Sequence, residues 1–146
     1  MKSIAVITLA MGLLLGGCVS QPMRSAPQTL SAQQVEQLFA GKTVESVNRS
    51  TGITSFTYYD PDGRVLQSRL WSQRSGKWTV KSNGKVCLTF DKTQCRRIAN
   101  DNGVYYKLRK RKGEKAKRVV RYRSFHDGNL LLGKNQAWPK VSHFRP

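Results

Sequence analysis

The feature that most restricts how this chain folds is a series of turn signals set between segments of alternating apolar residues. Asp60–Pro61–Asp62–Gly63 places Pro at the first central position of a turn and Gly where φ is positive. Asn83–Gly84, Asn102–Gly103 and Asp127–Gly128 are strong hairpin pairs, and Lys112–Gly113–Glu114 is a weaker one. The period-two segments around them predict strands at Thr43–Asn48, Ile53–Tyr59, Val65–Trp71, Trp78–Lys81, Val86–Phe90, Cys95–Ala99, Val104–Lys110, Val119–Phe125 and Leu130–Leu132. Short strands joined by tight turns form an antiparallel meander. The expected fold is mainly β, with eight to nine short strands closing into a small barrel or sandwich. Strands do not alternate with long helices, which argues against a parallel α/β enzyme fold.

One short helix precedes the strands. Ser31 can cap it, and Gln34 stands three residues later at the capping-box position. Val35, Leu38 and Phe39 share one face, and Gly41 is a natural stop. The apolar stripe predicts a lid or plug packed on the sheet. The β-rich domain is expected over residues 31–136, with a C-terminal tail at 137–146.

Four segments in this order carry a family resemblance: LSAQQVEQLFAGKTV from Leu30, YYDPDGRV from Tyr58, SGKWTVKSNGKVCLTF from Ser75, and NDNGVYYKL from Asn100 after the second Cys. The order resembles the small bacterial envelope proteins of unknown function grouped as DUF995. The resemblance covers about residues 29–108, and the basic segment after Leu108 lies outside its pattern. It implies a compact β-rich domain and no established activity. It transfers no catalytic residue.

The N-terminus reads as an address. Met1–Lys2–Ser3 is short and positively charged, and Ile4–Leu15 is an apolar run too short to span a bilayer comfortably. Leu15–Gly16–Gly17–Cys18 follows and resembles the lipobox of bacterial lipoproteins. The resemblance implies a signal peptide at 1–17, lipidation of Cys18 by palmitate-type acyl chains, and a stable membrane anchor. Val19 after the Cys, rather than Asp, favours the outer membrane, facing the periplasm. Residues 18–30 are then the lipidated Cys and a polar tether, whose twelve residues after Cys18 reach roughly 20 Å as a coil.

Cys87 and Cys95 remain. In an oxidising envelope such a pair favours a structural disulfide. A redox pair would more usually be spaced C-x-x-C, and a metal site would need two further ligands, for which only His126 and His143 are on offer, neither with ligand-like spacing. No metal and no cofactor is expected. Nor does the chain show a nucleophile-elbow, zinc-protease or phosphate-loop motif. Asp60 and Asp62 are explained by their turn, and His126–Asp127 are merely sequence neighbours. A non-enzymatic protein is the expectation, with no catalytic residue assigned.

Charge is the sharpest remaining feature. The chain carries 26 Lys+Arg against 8 Asp+Glu, a formal charge of +18. Ten cations fall between Lys107 and Arg123: Lys107, Arg109, Lys110, Arg111, Lys112, Lys115, Lys117, Arg118, Arg121 and Arg123, opposed only by Glu114. On a hairpin turning at Gly113, alternation sends Lys107, Arg109 and Arg111 to a face away from Tyr106 and Leu108, with Arg121 and Arg123 opposite Val120 and Tyr122. That predicts a basic outer face with Tyr105 available for stacking. The plain explanation is a solvated hairpin protected against edge pairing. The functional one is an anion-binding surface for anionic lipid, lipopolysaccharide, acidic polysaccharide or an acidic protein partner. Nucleic acid is less favoured in that location. Two other readings remain open: a periplasmic carrier with an apolar ligand in an aromatic-lined barrel, and, with a poorer charge match, an inhibitor of a secreted hydrolase.

Overall fold

Residues 27–132 are described in a computed structural model. In chain order they form β1 (Gln28–Thr29), α1 (Ala32–Phe39), β2 (Lys42–Asn48), β3 (Thr54–Tyr59), β4 (Arg64–Arg69), β5 (Ser72–Val80), β6 (Lys85–Thr89), β7 (Thr93–Asp101), β8 (Val104–Arg109) and β9 (Lys117–Asp127). Every pairing is antiparallel, and β2 through β9 close on themselves because β8 pairs with both β9 and β7. The result is an eight-stranded antiparallel barrel. Cys18, the expected signal peptide, His143, Trp138 and the expected tail lie outside the described residues.

β7 holds the closure together by changing neighbours along its length. Its first half pairs with β6 from Thr93 to Arg97, and its second half pairs with β8 from Arg97 to Asp101. The short β1 adds to the other edge of that second half, at Ala99 and Asn100. Cys87 and Cys95 face each other across β6 and β7, with their sulfurs 2.04 Å apart.

α1 covers one end of the barrel. Ser31 Oγ accepts from the Gln34 backbone N–H, and the Ser31 N–H donates back to Gln34 Oε1, completing the capping box. Val35 and Phe39 are fully buried. The Phe39 ring meets Tyr59, Tyr122 and Phe125 edge-on, with centroids 4.8, 5.1 and 5.7 Å away. These rings, with Val44, Val65, Trp78 and Ile98, make the apolar core. The Asp60–Gly63 turn braces this end. The Trp78 indole donates to the Asp60 carbonyl, and the Asp60 carboxylate holds the Asp62 N–H and the Arg64 guanidinium.

Two strand assignments from sequence need correction. Leu130–Leu132 is not a strand. It is tied by Asn129 Oδ1, which accepts from the Leu131 and Leu132 N–H groups, and by Leu130 N–H donating to Thr43 Oγ1. The strand expected to run through Trp71 ends at Arg69, because Leu70–Trp71 forms the tip of a hairpin in which Arg69 pairs with Ser72. Ser72–Lys77, which alternation does not mark as a strand, is the first part of β5.

A cationic cavity in the open half of the barrel

The turns at 49–53, 70–71, 90–92 and 110–116 lie at the barrel end opposite α1. Nothing comparable to the helix covers that end among the described residues, and the inward-facing side chains change character towards it. Period two makes the change legible strand by strand. On β8, Tyr105 packs edge-on against Phe125 in the core, so Lys107 and Arg109 follow it inward. On β7, Ile98 is core, so Arg96 and Gln94 share its face. On β4, Val65 is core, so Gln67 and Arg69 line the open half. On β5, Trp78 is core and Arg74 is the cavity residue.

These residues surround a cavity of about 340 Å³ floored by Val86, Leu88 and Phe90, with Gln67, Arg74, Gln94, Arg96 and Lys107 on its walls. A second space of about 280 Å³ adjoins it, sharing those five polar residues and reaching Ser46, Ser55, Arg69 and Arg109. Among the described residues, Asp91, at the rim, is the one acid on the wall of either space.

Arg74 is held in place. Its Nε and Nη2 both donate to Gln67 Oε1, at 3.0 and 2.7 Å, while Gln67 Nε2 donates to Thr57 Oγ1. The guanidinium carbon stands 3.9 Å from the centroid of Phe90. Gly76 makes this packing possible. A Cβ there would run into the Thr89 carbonyl and the Phe90 ring. Burial lowers the Arg74 pKa, and Arg69 adds to the effect while Asp91 opposes it. Arg96 donates through Nη1 to the Cys95 carbonyl, which anchors it beside the disulfide.

Lys107 sits across the wall between Ile98 of β7 and Val120 of β9. Its ammonium makes no hydrogen bond or ion pair among the described residues. Burial foremost, and the positive charges of Arg96 and Arg74 with it, lowers its pKa from 10.5 to about 8. Three cations thus converge in one partly desolvated space whose single carboxylate among the described residues, Asp91, stands at the rim. Such an arrangement is costly to the empty protein and favourable to an anion.

The basic stripe seen in the sequence is therefore not one surface. Taking Tyr106 and Leu108 as core side chains would put Lys107 and Arg109 on an outer face; β8 turns that face into the barrel, because Tyr105 belongs to the core and Tyr106 to the outside. Tyr105 packs in the core rather than offering a stacking ring. Outside, Tyr106 lies under the guanidinium groups of Arg118 and Arg49, 4.8 and 5.8 Å from its centroid. Arg118 pairs with Asp101 at 2.8 Å, and Arg123, displaced at a bulge opposite Glu45–Ser46, pairs with Glu45 at 3.2 Å. Arg111 and Lys117 flank Glu114. Lys110, Lys112, Lys115 and Arg121 are exposed, with no ion pair among the described residues. Alternation misses Arg74 because it marks no strand there, and it could have found Arg96 from its parity with Ile98.

His126 lies on the exposed outer wall, 3.0 Å from Ser124 Oγ, and that hydroxyl reaches Glu45 Oε2 at 3.3 Å. The carboxylate holds the serine rather than the imidazole, so the order needed to orient a histidine base is missing. Among the described residues no three His, Cys, Asp or Glu side chains gather as a metal site would need.

Fold and site together define a small antiparallel β-barrel, plugged by a helix at one end and cationic inside at the other. The chain belongs to a protein family of unknown function, DUF995, whose family model matches residues 6–114. The match ends in the turn before β9, the strand that closes the barrel between β2 and β8. No curated protein and no solved structure matches the chain.

Proposed function

We propose that this protein is a non-enzymatic lipoprotein of the bacterial envelope whose β-barrel binds an anionic ligand in its open half. The observation that carries the reading is the convergence of Lys107, Arg74 and Arg96 inside the barrel, faced by the single carboxylate of Asp91 at the rim. The anionic group would sit among these three side chains. Its apolar flank would rest on Val86, Leu88 and Phe90. Cavities of this size and mixed lining suit a small ligand or one group of a larger one, such as a phosphate or carboxylate of an envelope component. The envelope location, the anchor at Cys18 and outer-membrane sorting rest on the sequence from Met1 to Val19.

The test uses two probes at low ionic strength, inorganic phosphate and the aromatic sulfonate anilinonaphthalene sulfonate. Binding is followed by calorimetry and by fluorescence, respectively. Saturable binding should be lost in Lys107→Gln and in Arg74→Gln and retained in Arg121→Gln, whose side chain is outside. Equal binding by all four proteins would overturn the cavity as the site.

A further inference from the structure

The hairpin between β4 and β5 departs from the turn chemistry used elsewhere in the chain. Two-residue hairpin loops favour Gly, Asn or Asp where φ is positive. The turn at Asn102–Gly103 follows that rule, with positive φ at both residues. At this hairpin the two tip residues are Leu70, with φ +54°, and Trp71. Leucine in the left-handed region is strained backbone, since its Cβ crowds the following carbonyl. Both side chains are turned out to solvent, Leu70 by 60 % and Trp71 by 95 % of their surface. Phe56, one register step from the Ser55–Arg69 pair and opposite Ser68, adds a partly exposed ring on the same wall. Local strain and apolar exposure together oppose folding here, which marks the tip as kept for a contact.

The surroundings identify that contact. The tip stands on the open rim, among turns that carry Lys92, Lys110, Lys112 and Lys115, all exposed. The rim acids are Asp91 and Glu114, and Glu114 is already engaged by Arg111 and Lys117. An indole and a leucine projecting from a field of cations match a bilayer interface. Trp favours the headgroup level, where its ring is half immersed, and Lys and Arg are drawn to anionic headgroups. A protein partner with an apolar pocket would not need the ring of charge, and a polyanion would not need the apolar tip. We propose that the open rim docks on an anionic lipid bilayer, with Leu70 and Trp71 seated at the interface.

This docking rests on the tip and rim, not on the cavity, so the two readings fail separately. The full chain, carrying Trp138→Phe throughout, is bound to vesicles of phosphatidylcholine alone or mixed with phosphatidylglycerol, each prepared with and without brominated acyl chains. Quenching of tryptophan emission then reports contact at Trp71, since Trp78 is buried in the core. In phosphatidylglycerol vesicles the emission should be quenched and should recover as salt is raised. Trp71→Phe should remove most of that quenching, while Lys107→Gln leaves it intact. Leu70→Gly, which relieves the backbone, should raise stability yet weaken vesicle binding several-fold. Quenching unchanged in Trp71→Phe would overturn the proposal. So would absence of quenching on anionic vesicles, or a lipid-independent blue shift accompanied by dimerisation.

Discussion

The two halves of the barrel are built from the same eight strands and obey opposite rules. In the half under α1, the inward positions are filled by apolar and aromatic side chains, and Phe39 gathers Tyr59, Tyr122 and Phe125 around it. In the open half the same alternation delivers Gln67, Arg69, Arg74, Arg96 and Lys107. The closed half stabilises the barrel, and its surplus permits the open half to hold a net positive interior. A barrel this small would not retain three inward cations for stability, since buried like charges repel and lose hydration.

The comparison breaks most visibly through the core. Phe39→Ala should lower stability by about 3–5 kcal/mol, measured as the shift of the urea midpoint, because it empties the meeting point of three rings. The open half should respond in the opposite sense. Lys107→Met should raise stability at pH 7 by about 2 kcal/mol, less than the full pKa shift implies because the mouth admits some solvent. The pH dependence follows from the two pKa values. The native protein releases the Lys107 proton near pH 8, while the unfolded chain keeps it until about 10.5. Between these values the unfolded state holds more protons, so the wild-type stability rises with pH. The advantage of Lys107→Met should be complete below pH 8 and disappear by about 10.5. A constant difference across that range would show that Lys107 is not confined as described.

A smaller test sits at the boundary of the halves. The Tyr122 hydroxyl is buried without a hydrogen-bond partner among the described residues, and burial raises its pKa well above the usual value. Tyr122→Phe should stabilise the protein by about 1 kcal/mol in the same urea titration. Arg121→Gln, one residue away but on the outer wall, should change stability by less than about 0.5 kcal/mol.

Most of the fold was legible because the turns are chemically explicit. Asn83–Gly84 and Asn102–Gly103 each fix a hairpin, and Ser31 with Gln34 fixes the start of α1. The hairpin at Leu70–Trp71 was not legible, since neither residue carries a turn signal and both look like strand. The site was harder to read for a different reason. Alternation sorts Lys107 from Leu108 but does not say which set faces inward, and Tyr105–Tyr106 offers an aromatic ring on both sides. Only barrel closure decides between them. Pairing also dispersed the apparent stripe, with Asp101 and Glu45 each taking one of its arginines.

The placement of β1 has a consequence for reach. Gln28 and Thr29 join β7 at Asn100 and Ala99, on the helix-plugged end, so the chain enters the barrel at the pole farthest from Trp71. The nine residues from Val19 to Pro27 extend at most roughly 30 Å. A bilayer docked at the rim would lie on the far side of the barrel from this entry point, so these nine residues would have to run back along the outside of the wall to meet it.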